Sequence, residues 1–221
     1  MENPKESQFF SLGSPPVRLV YAMAWRQILG LLKHQLRMCP SFLWRWELRL
    51  IGVSWSSPPS LCGRPFVSRH EGSTIRLGQA VRIDSSRRNN PLGGDKPCIL
   101  RTMTSEARIS LSDRVGLSSS TLVAGNSIEI GEDTILGAGC MILDNDFHVP
   151  GPHFTWLTEY ARNSSPVRIG RGCFLGARSV VLKGVTLGDR VVIGAGSVVT
   201  RDVPSHSLAV GNPARIVHPV P

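Results

Sequence analysis

The residues best suited to do chemistry surround His148, which follows Asp144 and Asp146 in the stretch Asp-Asn-Asp-Phe-His. A free imidazole has a pKa of about 6.5, so it can accept a proton from a reacting group near neutral pH. A neighbouring carboxylate can hold the other ring nitrogen and fix the tautomer, and the spacing leaves both aspartates eligible. These residues predict proton transfer by His148. His153 is the alternative base, but it lacks the preceding acidic pair.

Composition narrows the class of protein. The chain has 221 residues and a net charge of +9, but its basic residues are scattered, with no run longer than Arg87-Arg88. Scattered arginine suits any anionic ligand, so we expect no nucleic-acid partner. The 5 cysteines contain no CxxC pair, which disfavours a disulfide framework and a metal site. Neither a membrane-spanning apolar run nor a signal peptide is evident, so we expect a cytoplasmic protein.

The elements that must position His148 follow a repeat of 6 residues. Large aliphatic anchors recur at this interval, and small or β-branched residues stand two places before each anchor. The anchors are Ile169, Leu175, Val181, Leu187, Ile193 and Val199, with Ile130, Leu136 and Ile142 upstream. Neither an amphipathic helix nor an alternating strand has this period. It predicts the sides of a prism, in which the small residues Cys140 and Cys173 serve packing rather than chemistry.

The repeat divides the chain into regions. We expect a flexible arm at residues 1–16, a helical segment at 17–61, the repeat at 62–203 with a loop at 145–166, and a tail at 204–221 that runs back over the last coil. The loop carries aromatic and charged residues on a rigid scaffold, which is where binding and catalysis concentrate. We therefore expect the site at this loop.

Residues 17–57 leave two interpretations open. Their basic residues outnumber their acidic residues by 6 to 1 and stand among tryptophans. This composition is typical of a segment in a membrane interface, at the anionic cytoplasmic leaflet. The alternative is a helical cap that covers the strand edges of the first coil. Under the first interpretation, the protein contacts the inner membrane surface peripherally.

Several motifs combine in a pattern that resembles the hexapeptide-repeat O-acetyltransferases of bacterial surface-polysaccharide synthesis and, more distantly, the maltose and galactoside acetyltransferases. These motifs are Gly116-Leu117-Ser118, Ser127-Ile128-Glu129-Ile130-Gly131, the Asp-x-Asp-Phe-His stretch, Gly194–Thr200 and Gly211–Arg215. The resemblance covers roughly residues 62–217. It implies an all-β fold, a left-handed parallel β-helix of hexapeptide repeats with an N-terminal helical segment, and a homotrimer.

The resemblance also implies a function, an acetyl-CoA-dependent O-acetyltransferase that acts on a sugar or polysaccharide-precursor hydroxyl. His148 would be the general base, with Asp146 or Asp144 as its partner. The implied coenzyme A contacts are Phe174, Gly176, Ala177, Ala195, Thr200, Arg201 and Arg215, with Lys183 as a weaker phosphate candidate. Galactoside-type relatives hold the acceptor with an asparagine near Ser118, so their acceptor specificity does not carry over.

Three other functions remain open at this point. A non-catalytic β-helix scaffold or binding module would need no base at His148. A serine-type acetyltransferase would share the fold and the cofactor but would have a larger helical N-terminal domain. A carbonic anhydrase of the γ class would need three histidines to hold zinc, and the loop offers only His148 and His153.

Overall fold

A computed structural model describes residues 41–219 of the chain. The expected arm at 1–16, the first part of the expected helical segment at 17–40, and the terminal Val220-Pro221 lie outside the described residues. The described part of the chain begins with the helical residues 41–51, which are called α1. Among these described residues, no helix has the length and apolar character needed to cross a bilayer.

Short strands follow the helix in chain order. The first twelve are β1 (Val53–Trp55), β2 (Ser60–Cys62), β3 (Phe66–Ser68), β4 (Thr74–Leu77), β5 (Arg82–Asp84), β6 (Ile99–Thr102), β7 (Arg108–Leu111), β8 (Gly116–Ser118), β9 (Thr121–Ala124), β10 (Ser127–Ile130), β11 (Ile135–Leu136) and β12 (Met141–Leu143). The next are β13 (Val149–Pro150), β14 (Trp156–Leu157), β15 (Val167–Ile169), β16 (Phe174–Leu175), β17 (Val180–Val181), β18 (Thr186–Leu187), β19 (Val192–Ile193), β20 (Val198–Val199), β21 (Ser207–Gly211) and β22 (Ala214–Pro219).

Three sheets form the faces of a triangular prism. Face A has the order β1-β4-β7-β10-β15-β18, face B the order β2-β5-β8-β11-β16-β19-β21-β22, and face C the order β3-β6-β9-β12-β17-β20. Apart from β13 and β14, which pair only with each other, the strands up to β20 visit faces A, B and C in turn, and each set of three makes one coil. The coils are numbered from the first (β1–β3) to the sixth (β18–β20). The predicted left-handed parallel β-helix is confirmed.

The interior of the prism is filled by the aliphatic anchors of the repeat. From Ile130 to Val199, each predicted anchor is at most 3% exposed. Cys140 and Cys173, expected to pack rather than react, are also buried, and burial raises the pKa of both thiols. A protonated buried thiol behaves as a small apolar group, so both residues contribute to the core.

The glycine that follows many anchors allows the coils to stack closely. A Cβ atom on Gly131 would lie 2.5 Å from the carbonyl carbon of Gly170 in the next coil. A Cβ atom on Gly176 would lie 2.5 Å from the amide nitrogen of Ala195. No side chain fits at such distances when neighbouring strands are about 4.8 Å apart. The glycines are therefore required by the coil spacing itself.

The strands begin earlier than expected, at Val53 within the segment 17–61 that was assigned to helix. Strand β1 pairs in parallel with β4, and Val53 and Leu61 are buried in the core. The expected boundary at residue 62 misses this first coil because no glycine follows Trp55 or Leu61, which are in register with Leu77 and Ile83 of the next coil. Helix α1 packs on the same coil, since Leu48 belongs to the same buried cluster.

The tail expected at 204–221 extends face B. Strand β21 pairs in parallel with β19, and β22 runs back antiparallel along β21. The chain thus returns over the last coil as a strand that hydrogen-bonds to the sheet. Buried Ala209 continues the column of inward-facing residues.

Candidate active site

His148 lies on a loop, residues 144–166, that leaves face C after β12 and re-enters face A at β15. This loop marks the C/A edge of the prism, and the other two edges are called A/B and B/C. At its root, the buried carboxylate of Asp144 accepts hydrogen bonds from the amides of Gly125 (2.6 Å) and Asn126 (2.7 Å) in the preceding coil. Asp144 therefore fixes the loop to the coil beneath it.

The imidazole of His148 is exposed, and its Nδ1 lies 3.3 Å from Oγ1 of Thr158 on the returning arm of the loop. Strands β13 and β14 pair antiparallel and hold the two arms together. When Nδ1 carries the hydrogen and donates it to Thr158, Nε2 is free to accept a proton. Sequence reasoning missed Thr158, because the loop has no period that would indicate which residue returns beside His148.

Asp146 forms an ion pair with Nζ of Lys183 in the fifth coil. The side chain of Asn163 donates to the same carboxylate at 3.2 Å, and Lys183 also donates to the Asn163 carbonyl at 3.3 Å. Lys183, expected as a weak phosphate candidate, is thus engaged with the loop.

Neither expected carboxylate contacts the His148 imidazole in the hydrogen bonds of residues 41–219; Thr158 takes that place. The reason is that the oxygens of Asp144 are occupied by backbone amides, while Asp146 faces Lys183.

The expected coenzyme A contacts lie on different parts of the prism. They divide into the B/C turns with Gly176, Ala177 and Ala195, the C/A turn after β20 with Thr200 and Arg201, and face B with Phe174 and Arg215. All are at least partly exposed except Gly176, which is buried. Arg215 donates a hydrogen bond to the carbonyl of Ala214 at 2.9 Å.

His148 and Ala177 therefore stand on different edges of the same chain, with face C between them. A face of six residues, at ~3.3 Å per residue, spans up to ~20 Å. One chain alone does not bring the imidazole and the B/C turns onto a single edge.

A slot of about 770 Å³ follows the B/C edge beneath the loop at residues 85–98, which joins β5 to β6. The loop contributes Leu92, Gly94, Asp95 and Lys96, and the turns contribute Ser119, Ala138, Gly139, Ala177, Arg178, Ala195 and Gly196, with Met141 on face C. The expected contacts Ala177 and Ala195 thus line a real cavity. Sequence reasoning missed the loop at 85–98 because it interrupts a stretch where the period is faint.

The amide groups of Ala177 and Ala195 are not used by the fold. No described residue accepts a hydrogen bond from either N–H. Both groups lie in turns that line the slot, so they can donate to a ligand there. Within residues 41–219, no cluster of three His, Cys, Asp or Glu side chains is arranged to hold a metal ion.

Comparison with known proteins agrees with the repeat. Residues 166–201 match the family model described as the hexapeptide repeat of succinyl-transferase. Galactoside O-acetyltransferase of Escherichia coli K12 is 44% identical over 100 residues, which cover 45% of this chain and 48% of that protein. A protein of Staphylococcus aureus (strain COL) named as an acetyltransferase is 47% identical over 68 residues, covering 31% of this chain and 34% of that protein.

Among solved structures, a variant of AntD, an N-acyltransferase from Bacillus cereus in complex with dTDP and coenzyme A, matches with a TM-score of 0.59. The two chains are 20% identical, and the match covers 80% of this chain and 90% of AntD, which shows a shared fold. The chain spans 34% and 48% of the length of the two relatives named above. Together these matches confirm the resemblance to the hexapeptide-repeat acetyltransferases.

Proposed function

We propose that this protein transfers an acetyl group from acetyl-coenzyme A to a sugar hydroxyl, with His148 as the general base. The observation that carries the proposal is the arrangement of His148, whose imidazole is exposed at the edge of a hexapeptide coil and has Nδ1 within reach of Thr158. The similarity to galactoside O-acetyltransferase supports the acetyl group and the class of acceptor, and the bound coenzyme A of the AntD structure supports the donor.

The reaction needs one proton acceptor and one group that stabilises negative charge. Nε2 of His148 removes the hydroxyl proton as the oxygen bonds to the thioester carbonyl carbon. The carbonyl oxygen then carries negative charge, and an aimed N–H such as that of Ala177 is worth ~3 kcal/mol at this stage. The carbon–sulfur bond breaks, and the coenzyme A thiolate takes the proton from the imidazolium.

The two halves of this site come from two copies of the chain. We place the C/A edge of one copy, with His148, against the B/C edge of the next, with its free amides. Repeated around a cyclic axis, this contact closes a homotrimer with three sites. Exposed apolar side chains on faces B and C support the contact, since Phe66, Ile135 and Phe174 are 47%, 50% and 47% exposed.

Replacement of His148 tests the catalytic assignment. We expect His148→Ala to lower the release of free thiol from acetyl-coenzyme A by ~10²–10⁴-fold in the presence of a carbohydrate acceptor. Coenzyme A affinity should remain close to that of the wild type, because the imidazole acts on the proton. His153→Ala, the matched control on the same loop, should retain activity. Wild-type turnover by His148→Ala would overturn the assignment.

Helix α1 supports peripheral contact of residues 17–57 with an anionic membrane. Its outer side presents Phe42, Leu43, Trp46 and Leu50, which are 59%, 64%, 58% and 83% exposed, while Leu48 faces the core. Apolar side chains beside basic residues are suited to the inner membrane surface, where a lipid-linked acceptor would lie.

Vesicle flotation tests this contact. We expect binding to phosphatidylserine vesicles but not to phosphatidylcholine vesicles, with weaker binding at high salt. Leu50→Ser should reduce binding, whereas Leu92→Ser, on the loop at 85–98, should not. If the protein binds neither type of vesicle at low salt, residues 17–57 serve as a cap.

A further inference from the structure

The loop at residues 85–98 follows the B/C edge over several coils. It leaves face B in the second coil, and Asn90 Nδ2 donates to the hydroxyls of Ser118 (3.0 Å) and Ser119 (3.3 Å) in the third. Further along, the carboxylate of Asp95 lies 3.7 Å from the guanidinium of Arg178 in the fifth coil. These contacts are two coil spacings apart, or about 10 Å along the prism. The loop therefore forms a wall of the slot.

The order of the coils indicates which end of the slot faces the donor and which faces the acceptor. The free amides of Ala177 and Ala195 lie in the fifth and sixth coils, while the loop with His148 leaves the fourth. Rotation about a cyclic axis parallel to the prism keeps the loop with His148 of the neighbouring copy at the height at which it leaves the prism, between the fourth and fifth coils. A donor that lies along the fifth and sixth coils then presents its thioester near the fourth. The acceptor must approach from the opposite end, where Gly94 of the loop at 85–98 lies against Ser119 of the third coil.

The charges of the side chains that line the slot do not sum to zero. Asp95 is paired with Arg178, whereas Lys96, half-buried in the slot wall, has no ion pair within residues 41–219. One cation therefore remains in excess. An unpaired cation in a partly desolvated slot attracts a ligand that carries negative charge.

We infer that the end of the slot formed by the loop at 85–98 and Ser119 is the acceptor subsite and that it takes a carbohydrate with an anionic group, held by Lys96. The inference rests on the proposed function for its assignment to the acceptor. A sugar carboxylate and a sugar phosphate share the required chemistry, because both present negatively charged oxygens to an ammonium group.

Ligand-observed NMR titration tests the inference without relying on turnover. The probes are D-glucuronate, glucose 1-phosphate and D-glucose, each added to the full chain with saturating coenzyme A. We expect at least one anionic probe to bind about 10-fold more tightly than glucose, as a charge-assisted contact allows. The comparison between carboxylate and phosphate identifies the anion.

Two variants complete the test. Lys96→Gln should remove the preference for the anion and leave glucose binding unchanged. Arg108→Gln, which removes one exposed positive charge from face A opposite the slot, should keep the preference. Equal binding of all three probes to the wild type, or a preference that survives in Lys96→Gln, would overturn the inference. Failure of the proposed function differs from both, since the anion would then bind selectively without any release of thiol from acetyl-coenzyme A.

Discussion

Lys183 and Asp146 form an ion pair that ties the fifth coil to the loop carrying His148. Asp146 stands two residues before His148, so this contact restricts where the imidazole can lie relative to the prism. Asn163 bonds to both partners and closes the connection. The chemistry proposed for His148 thus depends on a contact outside the catalytic groups themselves.

Replacement of Lys183 should show whether its ion pair positions the His148 imidazole or stabilises the fold. The Lys183 side chain is 30% exposed and that of Asp146 is 50% exposed, and such a pair contributes only ~0–1 kcal/mol to folding. We expect Lys183→Met to lower kcat about 10-fold, because an imprecisely held base loses orientation, with little change in Tm. Amide exchange in the loop at 144–166 should become faster. Lys183→Arg should restore most of the activity, and an unchanged kcat in Lys183→Met would contradict the positioning role.

Subunit complementation tests whether the site is shared between copies. His148→Ala removes the base, and Ala195→Trp should block the slot, so each variant alone should be inactive. When the two are unfolded together and reassembled in equal amounts, about a quarter of the sites in a cyclic trimer combine two intact halves. We therefore expect about a quarter of wild-type turnover by mass of protein. Absence of recovery in a mixed trimer verified by mass spectrometry would mean that each chain forms its own site.

The coil spacing predicts different outcomes at two glycines. A methyl group on Gly131 would meet backbone at 2.5 Å, whereas one on Gly116 would meet only a side-chain carbon of Ile135 at 3.8 Å. We expect Gly131→Ala to cost ~1–3 kcal/mol and to lower Tm by several degrees. Gly116→Ala should be neutral or slightly stabilising. Thermal unfolding of both variants followed by circular dichroism checks this, and equal Tm values would refute the stacking argument.

Burial of Cys98 makes stability depend on alkaline pH. Burial raises the pKa of this thiol from 9.0 to about 11, so the unfolded chain loses its proton at lower pH than the folded chain. The unfolded state binds fewer protons between these values, and the free energy of unfolding therefore falls as pH rises, by up to ~1.4 kcal/mol per pH unit. Urea unfolding at about pH 8 and about pH 10 measures this loss. Between these two pH values, the free energy of unfolding should fall less in Cys98→Ala than in the wild type. An equal fall in both proteins would exclude Cys98 as the cause.

The period predicted the fold well because each anchor repeats one local rule. Ile130, Leu136 and Ile142 were identified as inward-facing, and all are buried. The contacts of Asp144 could also have been predicted from the sequence. Gly125 and Asn126 precede it by 19 and 18 residues, which is about the length of one coil. The contact between His148 and Thr158 could not be predicted, because both residues lie in a loop whose sequence has no period.

The stacked coils also have a consequence for assembly. Open ends of a β-helix resemble the growing ends of a fibril, where unpaired strand edges template further addition. Here Leu48 of α1 packs on the first coil, and β22 folds back along β21 at the other end. These elements cover part of each end, while β18 on face A and β20 on face C remain the last strands of their sheets. Because the strands of each coil pair only with strands of neighbouring coils, a whole coil could be gained or lost beyond the site and beyond the coils that the loop at 85–98 spans. The length of the prism is therefore free to vary while its cross-section stays constant.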